Sequence, residues 1–276
     1  MMLMGSSGAP ASVSYLFVDA ESLRQTLRKI SGRVFGGVDL PIDWSKLRGM
    51  HRKVFYYDAI PVQQAGEDDV VYSNRIAPRR AELSLIERQA SYHVRSGDAV
   101  YRKRRGNEQK MVDVQLAVDA LLMASRGLFG SVTLITGDLD FKPLVSALVD
   151  MGVDVHLQYP AKETSDDLLA AADRAEPINL PLAVSWLAAE FCKSHPLPSA
   201  VYTFDVPLDP AYITLVVWTD PKFGECRVIA LSDGFKIVTG VERGNPNDHR
   251  LEITYSDPDL LRIYAAETFH LDVPHW

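Results

Sequence analysis

The stretch LITGDLDFKPLVSALVDMGVDVHL, residues 134–157, carries the reading of the fold. An apolar run ends in Thr136-Gly137-Asp138-Leu139-Asp140-Phe141, KPLVSALVDMG follows with helical apolar spacing and stops at Gly152, and DVHLQY reads as the next strand. Strand, acidic turn, helix and strand together are the repeating unit of a parallel sheet. Two carboxylates one residue apart stand at the mouth of the first strand, the end at which open α/β sheets bind ligands.

The same alternation extends outward from this stretch. YLFVDA (15–20) and KVFYYDA (53–59) read as short buried strands, with ESLRQTLRKI between them helical by the spacing of Leu23, Leu27 and Ile30. APRRAELSLIERQASYHV reads as a helix with Leu83, Ile86 and Ala90 on one side, running into a strand near Tyr92 to Val94. KMVDVQLAVDALLMASR reads as a long helix, and SVTLITG (131–137) as the strand that opens the quoted stretch. The first 180 residues or so are therefore expected to form an α/β layer with a mainly parallel sheet.

After Pro181 the pattern changes. A helix is expected near 182–192 and SHPLPSA reads as a linker; YITLVVWT, ECRVIAL, FKIVTGVE and RLEITYS then read as strands between turn signals such as Asp233-Gly234. The expected organisation is a flexible start over 1–12, an α/β domain over 13–182, a linker with a possible helix over 183–198, and a small antiparallel β-rich domain over 199–276.

At 276 residues and 47% hydrophobic the chain can bury a sizeable core, and its formal net charge of -7 gives no global attraction to nucleic acid. With only Cys192 and Cys226, no CxxC pair and no Cys/His cluster, a structural zinc site is not expected and a reduced, cytoplasmic setting is. The start, MMLMGSSGAPASVSY, lacks the basic and apolar regions of a signal peptide, and no run approaches the ~20 apolar residues of a membrane span.

Four acids invite a common explanation. Asp19 ends the first strand, and Asp138 and Asp140 follow a later one. On the long helix, at ~100° per residue, Asp113 shares a face with Leu116, Ala117, Ala120 and Ala124, whereas Asp119 lies nearer Gln115 and Arg126. A carboxylate on an apolar face is costly unless neutralised, paired or bound to a metal, and hard divalent cations prefer oxygen ligands. Each acid also has a local reading: Asp19 as a helix cap, Asp138 and Asp140 as caps of the helix from Lys142, and Asp113 as a partner of Lys110. Arg102, Lys103, Arg104, Arg105 and Lys110 precede the Asp113 helix, and Arg79-Arg80 opens the earlier one. Such runs either form solvated faces or hold phosphates, with Tyr101 offering a stacking face.

YLFVDAESL, KMVDVQLAVDALLMA, LITGDLDFKPLVSALVDMGVDVHL and SDDLLAAADRAEPINL, in that order over about residues 13–182, resemble the NYN branch of the PIN-like nucleases, close to LabA-type proteins. The resemblance implies a parallel sheet of order 3-2-1-4-5 flanked by helices, an acidic pocket of Asp19, Asp113, Asp138 and Asp140 binding Mg²⁺ or Mn²⁺, and single-stranded or structured RNA as substrate. It implies hydrolysis of RNA phosphodiester bonds, or, as the alternative, a weak or inactive module that binds RNA or a protein. Thr136 keeps the hydroxyl of the family's usual Ser, while Ser22 stands where the family usually has Asn. Toprim-like and haloacid-dehalogenase-like domains also place Asp-x-Asp at a strand end, but with a different motif order. The resemblance does not reach the last ninety residues or so, where Trp218, His270 and Trp276 form no recognisable site and the roles open to the domain are selecting substrate, forming a homo-oligomer or binding a protein partner.

Overall fold

A computed structural model describes residues 13–97, 107–204, 211–241 and 249–276. In chain order the elements are β1 (Ser14–Asp19), α1 (Ala20–Val34), α2 (Trp44–Arg48), β2 (Lys53–Ala59), α3 (Asp69–Glu87), β3 (Tyr92–Gly97), α4 (Asn107–Ser125), β4 (Ser131–Ile135), α5 (Lys142–Asp150), β5 (Asp154–Pro160), α6 (Asp166–Leu169) and β6 (Arg174–Ile178). There follow α7 (Leu180–Ser185), α8 (Ala189–Ser194), β7 (Ser199–Phe204), β8 (Ile213–Asp220), β9 (Gly224–Leu231), β10 (Gly234–Val241), β11 (His249–Tyr255) and α9 (Pro258–Phe269). Among the described residues no helix is long and apolar enough to cross a membrane.

The chain divides into two compact units. The first takes in the chain up to Leu27 and Ile42–Ile178; the second takes in Arg28–Pro41 and Asn179–Trp276. In the first unit six parallel strands run in the order β3-β2-β1-β4-β5-β6. The expected order 3-2-1-4-5 is present, with β6 added at the edge. That strand was not foreseen because RAEPI is short, polar and contains Pro177; a proline with no N–H to give is tolerated at a sheet edge. A second difference is at α3, which begins at Asp69, eight residues before the Ala77 at which the sequence reading starts the helix, capped by the Asp68 side chain and with Pro78 inside it.

Alternation along the strands sets which residues meet. Tyr15 and Phe17, Phe55 and Tyr57, Val132 and Leu134, and Val155 and Leu157 share one face of the sheet, where they pack with Val112, Leu116, Ala120 and Ala124 of α4 and Leu144, Val145 and Leu148 of α5. Two further positions continue these rows to the carboxyl end: Asp19 after Phe17, and Thr136 after Leu134. β1 and β4 are neighbours with Val18 opposite Ile135, so Asp19 and Thr136 emerge side by side on the α4 face.

Asp58 is one step beyond Tyr57 and therefore points to the other face. Its side chain is only 1% exposed, and it meets Arg24 of α1 at 3.0 Å and Arg79 of α3. Arg24 also binds Glu21 at 2.6 Å, and Arg79 binds Glu82. This network ties the first turns of α1 to β2 and α3. It also means that Arg79 is engaged in an internal ion pair and is not an open phosphate contact.

The second unit holds an antiparallel sheet of order β7-β11-β10-β9-β8. Cys226, Val228, Ile237, Leu251 and Ile253 pack there with Leu261 and Ala265 of α9. Four of its strands were legible as alternating apolar runs; β7 and α9 were not. The helix expected near 182–192 is present as two short ones, α7 and α8, with Ala183, Trp186 and Leu187 buried, because the apolar residues are spaced to pack.

Removing the acid from a buried ion network costs about 3–5 kcal/mol, and without Asp58 the partly buried Arg24 and Arg79 would keep only their more exposed partners Glu21 and Glu82. Asp58→Ala is therefore expected to destabilise the protein by about 3 kcal/mol or more, measured by urea unfolding. A loss below about 1 kcal/mol, the worth of a surface pair, would show that the Asp58 network does not hold α1 and α3 in place.

Candidate active site

Asp19, buried at the end of β1, is held through both carboxylate oxygens. Oδ1 accepts from the backbone N–H groups of Glu21 (3.1 Å) and Ser22 (3.2 Å), and Oδ2 accepts from the Thr136 hydroxyl at 3.0 Å. The Thr136 oxygen in turn accepts from the backbone N–H of Asp138 at 3.2 Å, and Asp138 Oδ1 accepts from the N–H of Asp140 at 2.9 Å. One hydroxyl thus links the carboxyl ends of β1 and β4. The capping reading and the shared-site reading of Asp19 and Asp138 are compatible: each caps the turn that follows it while facing the same cleft. Asp138 caps the single 3-10 turn Leu139–Phe141 that leads into α5.

Burial pushes the Asp19 carboxyl above the usual carboxylate range against the pull of these donors, and the nearby Asp138 charge adds to the rise. Asp113 is half-buried on α4. Burial, and then the charges of Asp19, Asp138 and Asp140, push its carboxyl up to about 7. The end of β1, α4 and the turn after β4 therefore bring four like charges within electrostatic reach of one another. Asp140 is exposed and Asp138 half-exposed at the lip.

Asp119 does not join this group. Its carboxylate accepts from the Tyr57 hydroxyl at 2.9 Å and lies 3.6 Å from Arg95. The helical reading turns it toward Gln115 and Arg126, away from Asp113, and there Tyr57 reaches up from the sheet to meet it, tying α4 to β2. Arg102, Lys103, Arg104, Arg105 and Tyr101, and the side chain of Lys110, lie outside the described residues.

The cleft beside Asp19 and Asp138 is also lined by Glu21, Ser22, Gln25, Gly137, Pro160, Glu163 and Thr164. The wall from Pro160 to Thr164 was not foreseen, since it follows β5 in sequence and nothing in PAKET marks it. Its closeness explains Gly137: a Cβ there would stand 2.7 Å from Pro160 Cδ and 2.9 Å from Thr164 Oγ1.

Among the described residues, no group of three or more His, Cys, Asp or Glu side chains is drawn together as tightly as a bound ion requires. The donor set nonetheless suits a hard divalent cation: it is all carboxylate, its members repel one another, and Asp19 has about one of its four acceptor sites left once three hydrogen bonds are made.

The electrostatics make a pH prediction. A carboxyl that keeps its proton to about 7 when folded, and releases it near about 3.9 when unfolded, makes the folded state the more protonated one between those values. Metal-free stability must then fall across that window as pH rises. In EDTA, Asp113→Asn is expected to melt with wild type near pH 4 and above it by pH 8. Superimposable melting temperatures for the two proteins across the window would contradict the coupling.

Among solved structures the chain is similar to a protein of unknown function from Vibrio parahaemolyticus RIMD 2210633, at 20% identity and a TM-score of 0.47 over 64% of this chain and 96% of that one. No curated protein matches. The NYN domain matches residues 12–179, more than half of the chain, and the region after it matches no family. The chain belongs to the NYN domain family of PIN-like nucleases.

Proposed function

We propose that this protein is a metal-dependent endoribonuclease whose cleft hydrolyses RNA phosphodiester bonds. The observation that carries the proposal is the pairing of β1 with β4, which sets Asp19 and the Thr136–Asp138 turn side by side where Asp113 of α4 also approaches. NYN nucleases bind RNA, and PIN-like nucleases generally use divalent metals.

Asp19, Asp113 and Asp138 would hold Mg²⁺ or Mn²⁺, with Asp140 at the exposed lip as a ligand through water or as the group orienting the nucleophile. A divalent cation bound there supplies Lewis acidity toward water and a phosphate oxygen. The chain's own contribution is to fix the donors. Thr136 and the N–H groups of Glu21 and Ser22 lock the plane of Asp19, so that its remaining acceptor site has one direction. Asp140 would accept a hydrogen bond from the attacking water, whose oxygen bonds to phosphorus as a P–O ester bond breaks and the departing oxygen takes up a proton. Ser22 lines the same cleft where the family usually has a longer carboxamide, and the shorter hydroxyl leaves more room beside Asp19.

Asp138→Asn is expected to lower cleavage of single-stranded or structured RNA at least tenfold and to leave the fold intact, with wild-type cleavage restored by Mn²⁺ and abolished by EDTA. Full activity in EDTA, or in the variant, would exclude the proposed chemistry. RNA binding by wild type with no cleavage under any metal would instead support a binding module.

A further inference from the structure

The parallel register continues the row of site residues sideways. Asp19 lies opposite Tyr57 of β2, and Tyr57 lies opposite Arg95 of β3, so the three stand abreast at the carboxyl end of the sheet. Two strand spacings separate Asp19 from Arg95, about 10 Å along the sheet. That is a span a single nucleic-acid strand covers within a few nucleotides.

Arg95 is placed for a ligand more than for a fixed ion pair. Its side chain is 39% exposed, and its Nε lies 3.6 Å from Asp119 Oδ2, too far for a hydrogen bond, while that same oxygen accepts from Tyr57 at 2.9 Å. The guanidinium lies over the Phe55 ring, 5.8 Å from its centroid, and Nη1 reaches the Val94 carbonyl only at 3.5 Å. Phe55 and Asp119 thus steer the arginine stem and leave donor capacity toward solvent. Compare Arg24 and Arg79, whose guanidiniums are closely held by buried Asp58. On the β5 side of the cleft the wall carries Glu163, and Lys142 lies 3.2 Å from Asp167.

We infer that Arg95 binds a backbone phosphate of the substrate, so that a single strand cleaved at the acidic cleft runs across β2 toward β3. This rests on the RNA reading and adds a direction to it. Tyr57 is then a positioning residue: its hydroxyl donates to the Asp119 oxygen that Arg95 faces at 3.6 Å, while Asp119 itself competes with the phosphate for the guanidinium.

The test is binding of a short labelled single-stranded RNA in EDTA, followed by fluorescence anisotropy over a series of salt concentrations. Arg95→Ala is expected to weaken binding about fivefold and to reduce the slope of log affinity against log salt by about 0.7, the value for one phosphate contact on a single strand. Arg95→Lys should recover most of both. Asp119→Asn, which removes the competing charge and keeps an acceptor for Tyr57, should bind as well as wild type or better. Unchanged affinity and slope in Arg95→Ala, with wild type still binding, would overturn the contact alone. Equal weakening by Arg95→Ala and Asp119→Asn would also overturn it, since that is the signature of a structural pair. If wild type neither binds nor cleaves RNA, the RNA reading fails and takes this contact with it.

Discussion

The hydrogen bond from the Thr136 hydroxyl to Asp19 is the point on which the site turns. It exists because β1 and β4, separated by more than a hundred residues of sequence, lie next to each other in parallel register. The same oxygen accepts from the Asp138 backbone, so the position of one acid dictates the direction of the turn carrying the next two. Strand alternation does the rest. With Phe17 and Leu134 committed to the apolar face beneath α4, Asp19 and Thr136 must emerge on that face as well, and there they meet Asp113.

This arrangement concentrates like charge. Burial and mutual repulsion both raise the carboxyl of Asp113, and the fold makes up for the strain elsewhere: the aromatic layer of Phe17, Phe55 and Tyr57 lies beneath α4, and the Asp58 network clamps α1 and α3 on the opposite face. A site built of repelling groups on a firm scaffold is suited to a ligand of opposite charge. That physical logic, more than the number of acids, distinguishes Asp113 from Asp119, whose carboxylate is occupied with Tyr57.

Much of the first unit could be read from residues alone, because its strands are short continuous apolar runs and its helices have a clear period. The Thr-Gly-Asp-x-Asp turn and the orientation of Asp113 were legible for the same reason. Adjacency was not: nothing local in YLFVDA states that SVTLITG is its neighbour, and the order came only with the resemblance. The contact of Asp119 with Tyr57 was not legible either, since helical geometry orients a side chain without showing what reaches toward it. Arg95 gave no signal, being one basic residue in a strand of mixed character, and its value appears only once β1, β2 and β3 are aligned. In the second unit β7 was hidden by the preceding prolines, since its first residues lie in SHPLPSA, whose composition suggested a linker.

The central claim is that Asp19, Asp113 and Asp138 act together as ligands of one kind of cation, and calorimetric titration of Mn²⁺ into metal-stripped protein tests it most directly. Carboxylates must lose their protons to bind a metal. With Asp113 protonating at about 7, wild type should bind Mn²⁺ more tightly at pH 8 than at pH 6, release a proton on binding near neutral pH as judged from buffers of different ionisation heat, and lose both properties in Asp113→Asn. No Mn²⁺ binding, or binding equally tight at both pH values and in the variant, would contradict the account.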